Sequence, residues 1–304
     1  MSELITRFAP SPTGHLHLGH LAHMVYLWET AEKLGARVLL RIEDHDRGRC
    51  RPEYEDSILE DLEWLGFPYD HPDGKFYRQS DHPERYESAL ARLAETENVF
   101  PCTCSRKQIA QDSPHPNPDG ERRYSGRCRH EQLQPQQPTA GTVTSSLQHH
   151  RDDPARVDCP QQQRQLEPHG LRLQLAPGPE HFTDALRGPQ TQDPHQQIGD
   201  LLLRDRESNW TYQFAVTVDD IEQGVNLIIR GEDLLPSTGR QIRLARLLGR
   251  KEPPQFHHHP VLRDPDGQKL SKRDHSTTLQ DLRQSGQTPE SLRAQIAHPL
   301  QQTS

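Results

Sequence analysis

The stretch Ile5-Thr-Arg-Phe-Ala-Pro-Ser-Pro-Thr-Gly14, followed by His17-Leu-Gly-His20 and then by Val38-Leu-Leu-Arg-Ile42, decides the fold. Ile5–Phe8 is a short strand candidate, and Ala9–Gly14 is a loop stiffened by two prolines. Leu18, Leu21, Val25 and Trp28 recur at spacings of three and four, which places them on one face of a helix. Gly35 stands where that helix would end in the left-handed conformation. Val38–Ile42 is an apolar run between Gly35 and the acidic pair Glu43-Asp44, as expected of a buried strand. Strand, crossover helix and strand make a βαβ unit, so the economical reading is a parallel sheet in an α/β fold.

Working outward, Tyr54, Ile58, Leu62 and Leu65 give a second helical stripe closed by Gly66, and Tyr86, Leu90 and Leu93 a third. Asp81 with Glu84 has the spacing of a capping box ahead of the third helix. The pattern breaks near residue 106. Between residues 132 and 174 stand ten glutamines, several prolines and no sustained period, the composition of a long polar insertion or a disordered loop. A strand signal is faint until Gly170-Leu-Arg-Leu-Gln-Leu, and order is expected from about Pro179. Tyr212, Phe214, Val216 and Val218 alternate with polar residues as a half-buried strand does, and Leu227–Ile229 form another apolar run. Thr238 with Gln241 reads as a capping box, with Ile242, Ala245 and Leu248 on one helical face up to Gly249. No internal repeat is visible.

The chain has 304 residues, enough for one large domain or two modest ones. Its net charge of -8 argues against indiscriminate coating of nucleic acid, though not against one RNA held on a local basic face. Five cysteines, an odd number, with two as Cys102-Thr-Cys104, suit a reducing cytosol and a metal site better than a disulfide framework. The N-terminus has no apolar leader, and no run approaches a membrane span, so a cytoplasmic protein is expected.

Three constellations carry chemistry. In His17-Leu18-Gly19-His20, Gly19 leaves space where a base or ribose can approach the backbone, the helix N-terminus suits phosphate, and two imidazoles donate hydrogen bonds. Taken alone, those four residues match many solvated histidine pairs. Lys269-Leu-Ser-Lys272 follows the turn Pro265-Asp-Gly267, and its cations suit the charge that develops on a transferring phosphate group. Taken alone, it matches an ordinary basic surface loop. Cys102, Cys104 and Cys128 supply three corners of a tetrahedral zinc site, with Tyr124 as an unusual fourth ligand whose phenol must ionise. Spacing leaves that reading level with free thiols. Cys50 and Cys159 have no such context.

The order of these motifs is informative. Arg7-Phe-Ala-Pro-Ser-Pro-Thr-Gly14 with HLGH and a late KLSK resembles the HIGH and KMSKS signatures of class I aminoacyl-tRNA synthetases. Arg41-Ile-Glu-Asp44 and Gly231-Glu-Asp-Leu-Leu235 with Ser237-Thr238 resemble the glutamate branch specifically, over residues 3–131 and 179–296. The resemblance implies a Rossmann-type parallel sheet with a zinc-containing, loop-rich insertion and a short C-terminal helical tail. It also implies catalytic roles for His17, His20 and Lys272, and ATP, with Mg²⁺, at His17, Gly19, His20, Lys269, Ser271 and Lys272. L-glutamate would lie at Arg7, Phe8, Ala9, Pro10, Ser11, Glu43, Tyr212 and Arg230. A guanidinium fork suits a carboxylate, and each arginine has the alternative of a surface salt bridge.

The arrangement Cys102-x-Cys104 with Tyr124-x-x-x-Cys128 resembles the zinc site of glutamyl-queuosine tRNA(Asp) synthetases, which implies one zinc ion per chain. Members of that group activate glutamate without tRNA and esterify queuosine in the anticodon loop of tRNA(Asp). The expected organisation is residues 1–100 and 179–262 for the two halves of the nucleotide-binding domain, 101–178 for the zinc and acceptor-type insertion, and 263–304 for the KLSK loop and tail. Only 32 residues follow Lys272, read as one short polar helix and a tail, so no anticodon-reading domain and a monomer are expected. Positive charge for tRNA phosphates is expected near KLSK and at Arg240, Arg243 and Arg246. The competing readings are a truncated glutamyl-tRNA synthetase charging tRNA(Glu) and a non-catalytic tRNA-binding paralogue.

Overall fold

The structure, a computed structural model, describes residues 3–46, 48–70, 75–129, 169–261 and 277–301, with the side chains of the last helix described to residue 296. The chain runs β1 (Ile5–Phe8), α1 (Leu18–Leu34), β2 (Arg37–Ile42), α2 (Pro52–Leu65), β3 (Tyr77–Arg78), α3 (Pro83–Thr96), β4 (Val99–Cys102) and α4 (Arg106–Asp112). It continues β5 (Gly170–Leu173), β6 (Glu180–Asp184), β7 (Gly188–Gln192), α5 (Pro194–Ile198), β8 (Leu201–Arg204), α6 (Tyr212–Glu222), β9 (Leu227–Gly231), α7 (Thr238–Leu247) and β10 (Gln255–His259). Two helices, α8 (Leu279–Gln284) and α9 (Pro289–Gln301), close it.

The expected βαβ unit is present: β1 pairs with β2 in parallel, Ile5 opposite Arg37 and Phe8 opposite Leu40, and β2 pairs in parallel with β3. Gly35 ends α1 at φ 66°. A second sheet has the order β7-β6-β10-β9, parallel but for the edge strand β7. Asn226 brings β9 alongside β1: its Oδ1 accepts the Ile5 N–H at 2.8 Å, and its own N–H donates to the Ile5 carbonyl at 3.0 Å. A third, antiparallel sheet, β4-β5-β8, carries the cysteine segment.

Leu21, Met24 and Leu27 of α1, Leu40 and Ile42 of β2, Ile58 and Leu62 of α2, and Leu227 and Ile229 of β9 form one core. Leu279, Leu292 and Ile296 of the C-terminal helices are buried in that same core. The tail is therefore two helices docked on the first βαβ unit, not one polar helix. Among the described residues no helix is long and apolar enough to cross a membrane.

Several local expectations are corrected. Residues 212–218 are not a strand but the start of α6. Gln213, Thr217, Asp219 and Asp220 are buried along with the apolar positions, so the apparent period of two never separated an inside from an outside. Helix α3 starts after His82 with no side-chain cap, and Thr238 turns its hydroxyl to Arg230 rather than to a helix N–H. Beyond residue 106 the chain forms α4, capped reciprocally by Ser105 and Gln108, and β5 already stands at Gly170–Leu173, ahead of Pro179. The expectation of a long polar insertion falls largely on residues 130–168, outside the described residues.

Candidate active site

Strand β1 leads through α1 to β2, and β9 leads through α7 to β10, so the connections leave the β1–β9 junction in opposite directions. Such a switch point opens a crevice at the carboxyl ends of the strands. Arg7 and Phe8 end β1, Glu43 follows β2, and Arg230 lies one residue from the end of β9. Burial raises the proton affinity of the Tyr212 phenol, at the start of α6, and its hydroxyl lies within the fields of Glu43, Arg230, Arg7 and Asp220. Four of the expected glutamate residues therefore share one site. Phe8 contributes its ring to the core, against Trp28 and His23, and Pro10 presents its carbonyl to the Glu43 N–H at 2.9 Å. The Ser11 hydroxyl donates to the Glu43 carbonyl at 2.8 Å, which ties the loop that includes Ala9 and Pro10 to the end of β2.

Under this site lies a buried ion network that sequence reading missed. Asp220 Oδ1 accepts Arg7 Nε at 2.9 Å and Arg41 Nη1 at 2.8 Å, and Glu43 Oε1 accepts Arg41 Nη2 at 3.1 Å. Burial pushes the Asp220 carboxyl up, but Arg7 and Arg41 outweigh it and hold the group below its ordinary range. Burial wins at Glu43, whose proton affinity is raised despite Arg41, His45 and Arg7. The adjacent Asp219 binds Arg85 Nη1 at 2.8 Å and the Tyr86 hydroxyl at 2.9 Å. The signal was the pair Asp219-Asp220 within an apolar stretch.

Arg230 differs from Arg7 and Arg41. It is 3% exposed, and its nitrogens donate to His258 Nε2 at 2.9 Å, Gln241 Oε1 at 2.7 Å and Thr238 Oγ1 at 2.8 Å. Among the described residues no carboxylate lies within 4.0 Å of it. Burial of this cation lowers its proton affinity. A buried charge with no directly paired carboxylate is costly, although Asp220 acts on it from further away.

The HLGH histidines form a capping box. His17 Nδ1 accepts the Gly19 N–H at 3.0 Å, and His20 Nδ1 accepts the His17 N–H at 3.2 Å. Because both Nδ1 atoms accept, each neutral ring carries its proton on Nε2 and keeps a donor free. Burial lowers the proton affinity of His17, and burial together with His17 brings His20 down to about 3, which favours the neutral rings at this helix N-terminus. A Cβ on Gly19 would lie 2.9 Å from His17 Cε1, so the space over this glycine is taken by the histidine's own ring. Lys269, Ser271 and Lys272 lie outside the described residues. Thr278, on their far side, pairs with His17.

Cys102 ends β4, and the sulfurs of Cys102, Cys104 and Cys128 all lie within 4.8 Å of one another. Cys104 and Cys128 are 3.6 Å apart, and the Tyr124 hydroxyl lies 3.6 Å from Cys102 Sγ and accepts the Cys128 N–H at 2.8 Å. Zinc–thiolate bonds of about 2.3 Å at tetrahedral angles set sulfurs about 3.8 Å apart, so the cluster fits a metal of that size and softness. Burial, then the neighbouring thiols, push Cys104 up to about 12. Arg172, from β5, stacks over the Tyr124 ring at 4.0 Å and donates Nε to Cys102 Sγ at 3.4 Å. Gly199, at φ 69°, lets the chain pass, since a Cβ there would lie 2.3 Å from the Tyr124 carbonyl oxygen.

The basic face expected at Arg240, Arg243 and Arg246 is already neutralised. Arg240 is fully buried beside Asp119 at 2.6 Å and Glu121 at 3.2 Å, while Arg243 and Arg246 both bind Glu180. Their spacing of three on one helix face puts all three against acids of the neighbouring segments, with Arg240 and Arg243 buried and Arg246 still half-exposed.

A family model for class I tRNA synthetases (E and Q), catalytic domain, matches residues 3–298, and the chain belongs to that family. The chain is 38% identical to a glutamyl-Q tRNA(Asp) synthetase of Rhodobacter capsulatus over 96% of its own length and 99% of the relative's. It is 37% identical to glutamate–tRNA ligase 2 of Halorhodospira halophila, but there it spans only 56% of the relative. A crystal structure of a glutamate tRNA ligase from Elizabethkingia meningosepticum in complex with its amino acid superposes with a TM-score of 0.72 at 26% identity, covering 97% of this chain and 60% of the other.

Proposed function

We propose that the chain is a ligase that activates L-glutamate with ATP, without tRNA, and transfers it to the queuosine base in the anticodon loop of tRNA(Asp). The observation that carries the glutamate reading is Arg230, a buried cation whose protein partners are all neutral. A side-chain carboxylate supplies the missing charge, and glutamine does not. Arg7 and Tyr212 add donors beside it, and Glu43 is the acidic group for the α-ammonium. In the activating step an α-carboxylate oxygen of glutamate attacks the α-phosphorus of Mg²⁺-bound ATP and pyrophosphate leaves. The Nε2–H donors of His17 and His20, with Lys269, Ser271 and Lys272, are assigned to the developing phosphate charge. A hydroxyl of the cyclopentene-diol then attacks the glutamyl carbonyl, AMP leaves, and an ester remains. Positioning the hydroxyl over a mixed anhydride supplies most of the rate.

Cys102, Cys104, Tyr124 and Cys128 are assigned to one zinc ion. Bound there, the ion would join the end of β4 to the Tyr124–Cys128 segment. The acceptor reading draws on the relatives named glutamyl-Q tRNA(Asp) synthetase, which the chain matches over most of both lengths. Two measurements test the whole. Glutamate-dependent ATP–pyrophosphate exchange is expected with the protein alone. Labelled glutamate is expected on queuosine-containing tRNA(Asp), mapping to the anticodon loop, and not on the same tRNA without the modification. Label at the 3′ end of tRNA(Glu) would instead establish a truncated glutamyl-tRNA synthetase.

A further inference from the structure

We infer that Asp184 and His258 are positioning residues that hold Arg230 in one orientation and leave its positive charge whole for a ligand carboxylate. This rests on the glutamate reading above, and deepens it. The three groups form a buried row from β6 through β10 to β9, 1%, 0% and 3% exposed respectively.

The hydrogen bonds of the row fix the ring proton of His258. Asp184 Oδ1 accepts the N–H groups of Leu186 at 3.0 Å and Arg187 at 2.9 Å. Its Oδ2 accepts the His258 backbone N–H at 3.0 Å and contacts His258 Nδ1 at 2.6 Å. A carboxylate with donors on both oxygens is an acceptor only, so Nδ1 must carry the ring proton. Nε2 is then a bare lone pair, and it meets Arg230 Nε–H at 2.9 Å. An imidazolium, or the opposite tautomer, would set N–H against the Arg230 N–H, while the Thr238 hydroxyl, 3.2 Å from Nε2, donates to the same lone pair in the Nδ1–H form. On the other side, Gln241 gives its amide N–H to Gln213 Oε1 at 2.9 Å, which leaves its oxygen for Arg230 Nη1. Thr238 Oγ1 takes Nη2.

Three of the five guanidinium N–H bonds are thereby tied to neutral acceptors, and the neutral Tyr212 hydroxyl also contacts the fork. A carboxylate in place of His258 would fix the fork equally well but cancel its charge. The imidazole separates Asp184 from Arg230, so the acid orients the ring without neutralising the cation. Such an arrangement favours a carboxylate over a carboxamide, and the row is therefore a specificity device.

Asp184→Asn tests it. If the Asn oxygen stays with Leu186 and Arg187, its amide faces Nδ1 and forces the other tautomer, so Nε2–H opposes Arg230. The Michaelis constant for glutamate should rise roughly 10²-fold and discrimination against glutamine should fall, with kcat and the constant for ATP changed only a few-fold. His258→Leu should behave alike, while His258→Gln, which keeps an acceptor, should stay within about tenfold of the wild type. A merely structural pair would move the ATP constant, kcat and the melting temperature together.

The second measurement needs no substrate: ¹⁵N NMR of the ring nitrogens in the wild-type protein should find His258 protonated at Nδ1. A proton on Nε2 overturns the proposal whatever the activity, and this decides the case should the variants fail to fold. Unaltered glutamate constants in folded Asp184→Asn and His258→Leu overturn it as well. Absence of glutamate activation by the wild type overturns the proposed function instead, and leaves the tautomer result standing.

Discussion

Arg230 and Asp61 are both buried, ionisable and short of an opposite charge, yet they have opposite consequences. Arg230→Ala removes the cation that complements the ligand, so the Michaelis constant for glutamate should rise about 10²-fold, the worth of a charged hydrogen bond. Steady-state kinetics with glutamate and glutamine check this, and an unchanged constant would make Arg230 merely structural. Asp61 lies on α2 with both carboxylate oxygens unpartnered among the described residues and Arg283 no nearer than 4.0 Å. Burial, opposed by Arg283 and helped by Glu60, pushes its carboxyl up from 3.8 to about 6. The fold thus disfavours the charged form. No penalty exists below about pH 3.8, where both states are protonated; it grows as pH rises and is complete above about 6. Asp61→Asn should therefore raise the melting temperature more at pH 7.5 than at pH 4.5. An equal gain at both values would refute the assignment of that shift to Asp61.

At the scale of elements, the cysteine module depends on one backbone position. Gly199→Ala places a Cβ against the Tyr124 carbonyl and asks alanine to hold a left-handed conformation. It should abolish metal binding as measured by elemental analysis. Cys104→Ser should do the same more gently, with hydrogen exchange rising over residues 100–129 and staying low in α1. Uniform exchange across both would mean that the module is not a separate unit. How far these elements were legible beforehand varies with the kind of signal. β1, α1 and β2 were readable because Gly35 and the spacing of Leu18, Leu21 and Val25 reflect one buried face. Helix α6 was not, because a helix buried on every side keeps no periodicity. Glu43, Arg7, Tyr212 and Arg230 are candidates that the family resemblance supplies, whereas it points to neither Asp184 nor His258. Their meaning lies in a contact across 74 residues, which no local pattern encodes.

For the molecule as a whole, the site joins residues from β1, the end of β2, α6 and β9, so a ligand there binds the folded state alone. Glutamate at a hundredfold excess over its dissociation constant should add about 2.7 kcal/mol, or roughly 5 °C in melting temperature. Differential scanning fluorimetry checks this, and glutamine at the same concentration should shift it far less. An equal shift with glutamine would argue against charge as the basis of recognition. The docking of α8 and α9 onto the first βαβ unit has a further consequence during synthesis. Leu21, Met24 and Leu27 leave the ribosome early, but Leu292 and Ile296, which cover part of the same core, are added nearly 270 residues later. At roughly 5–20 residues per second, that interval is about 14–54 s. For that time the nascent chain carries an incomplete apolar face, a natural landing place for a ribosome-associated chaperone.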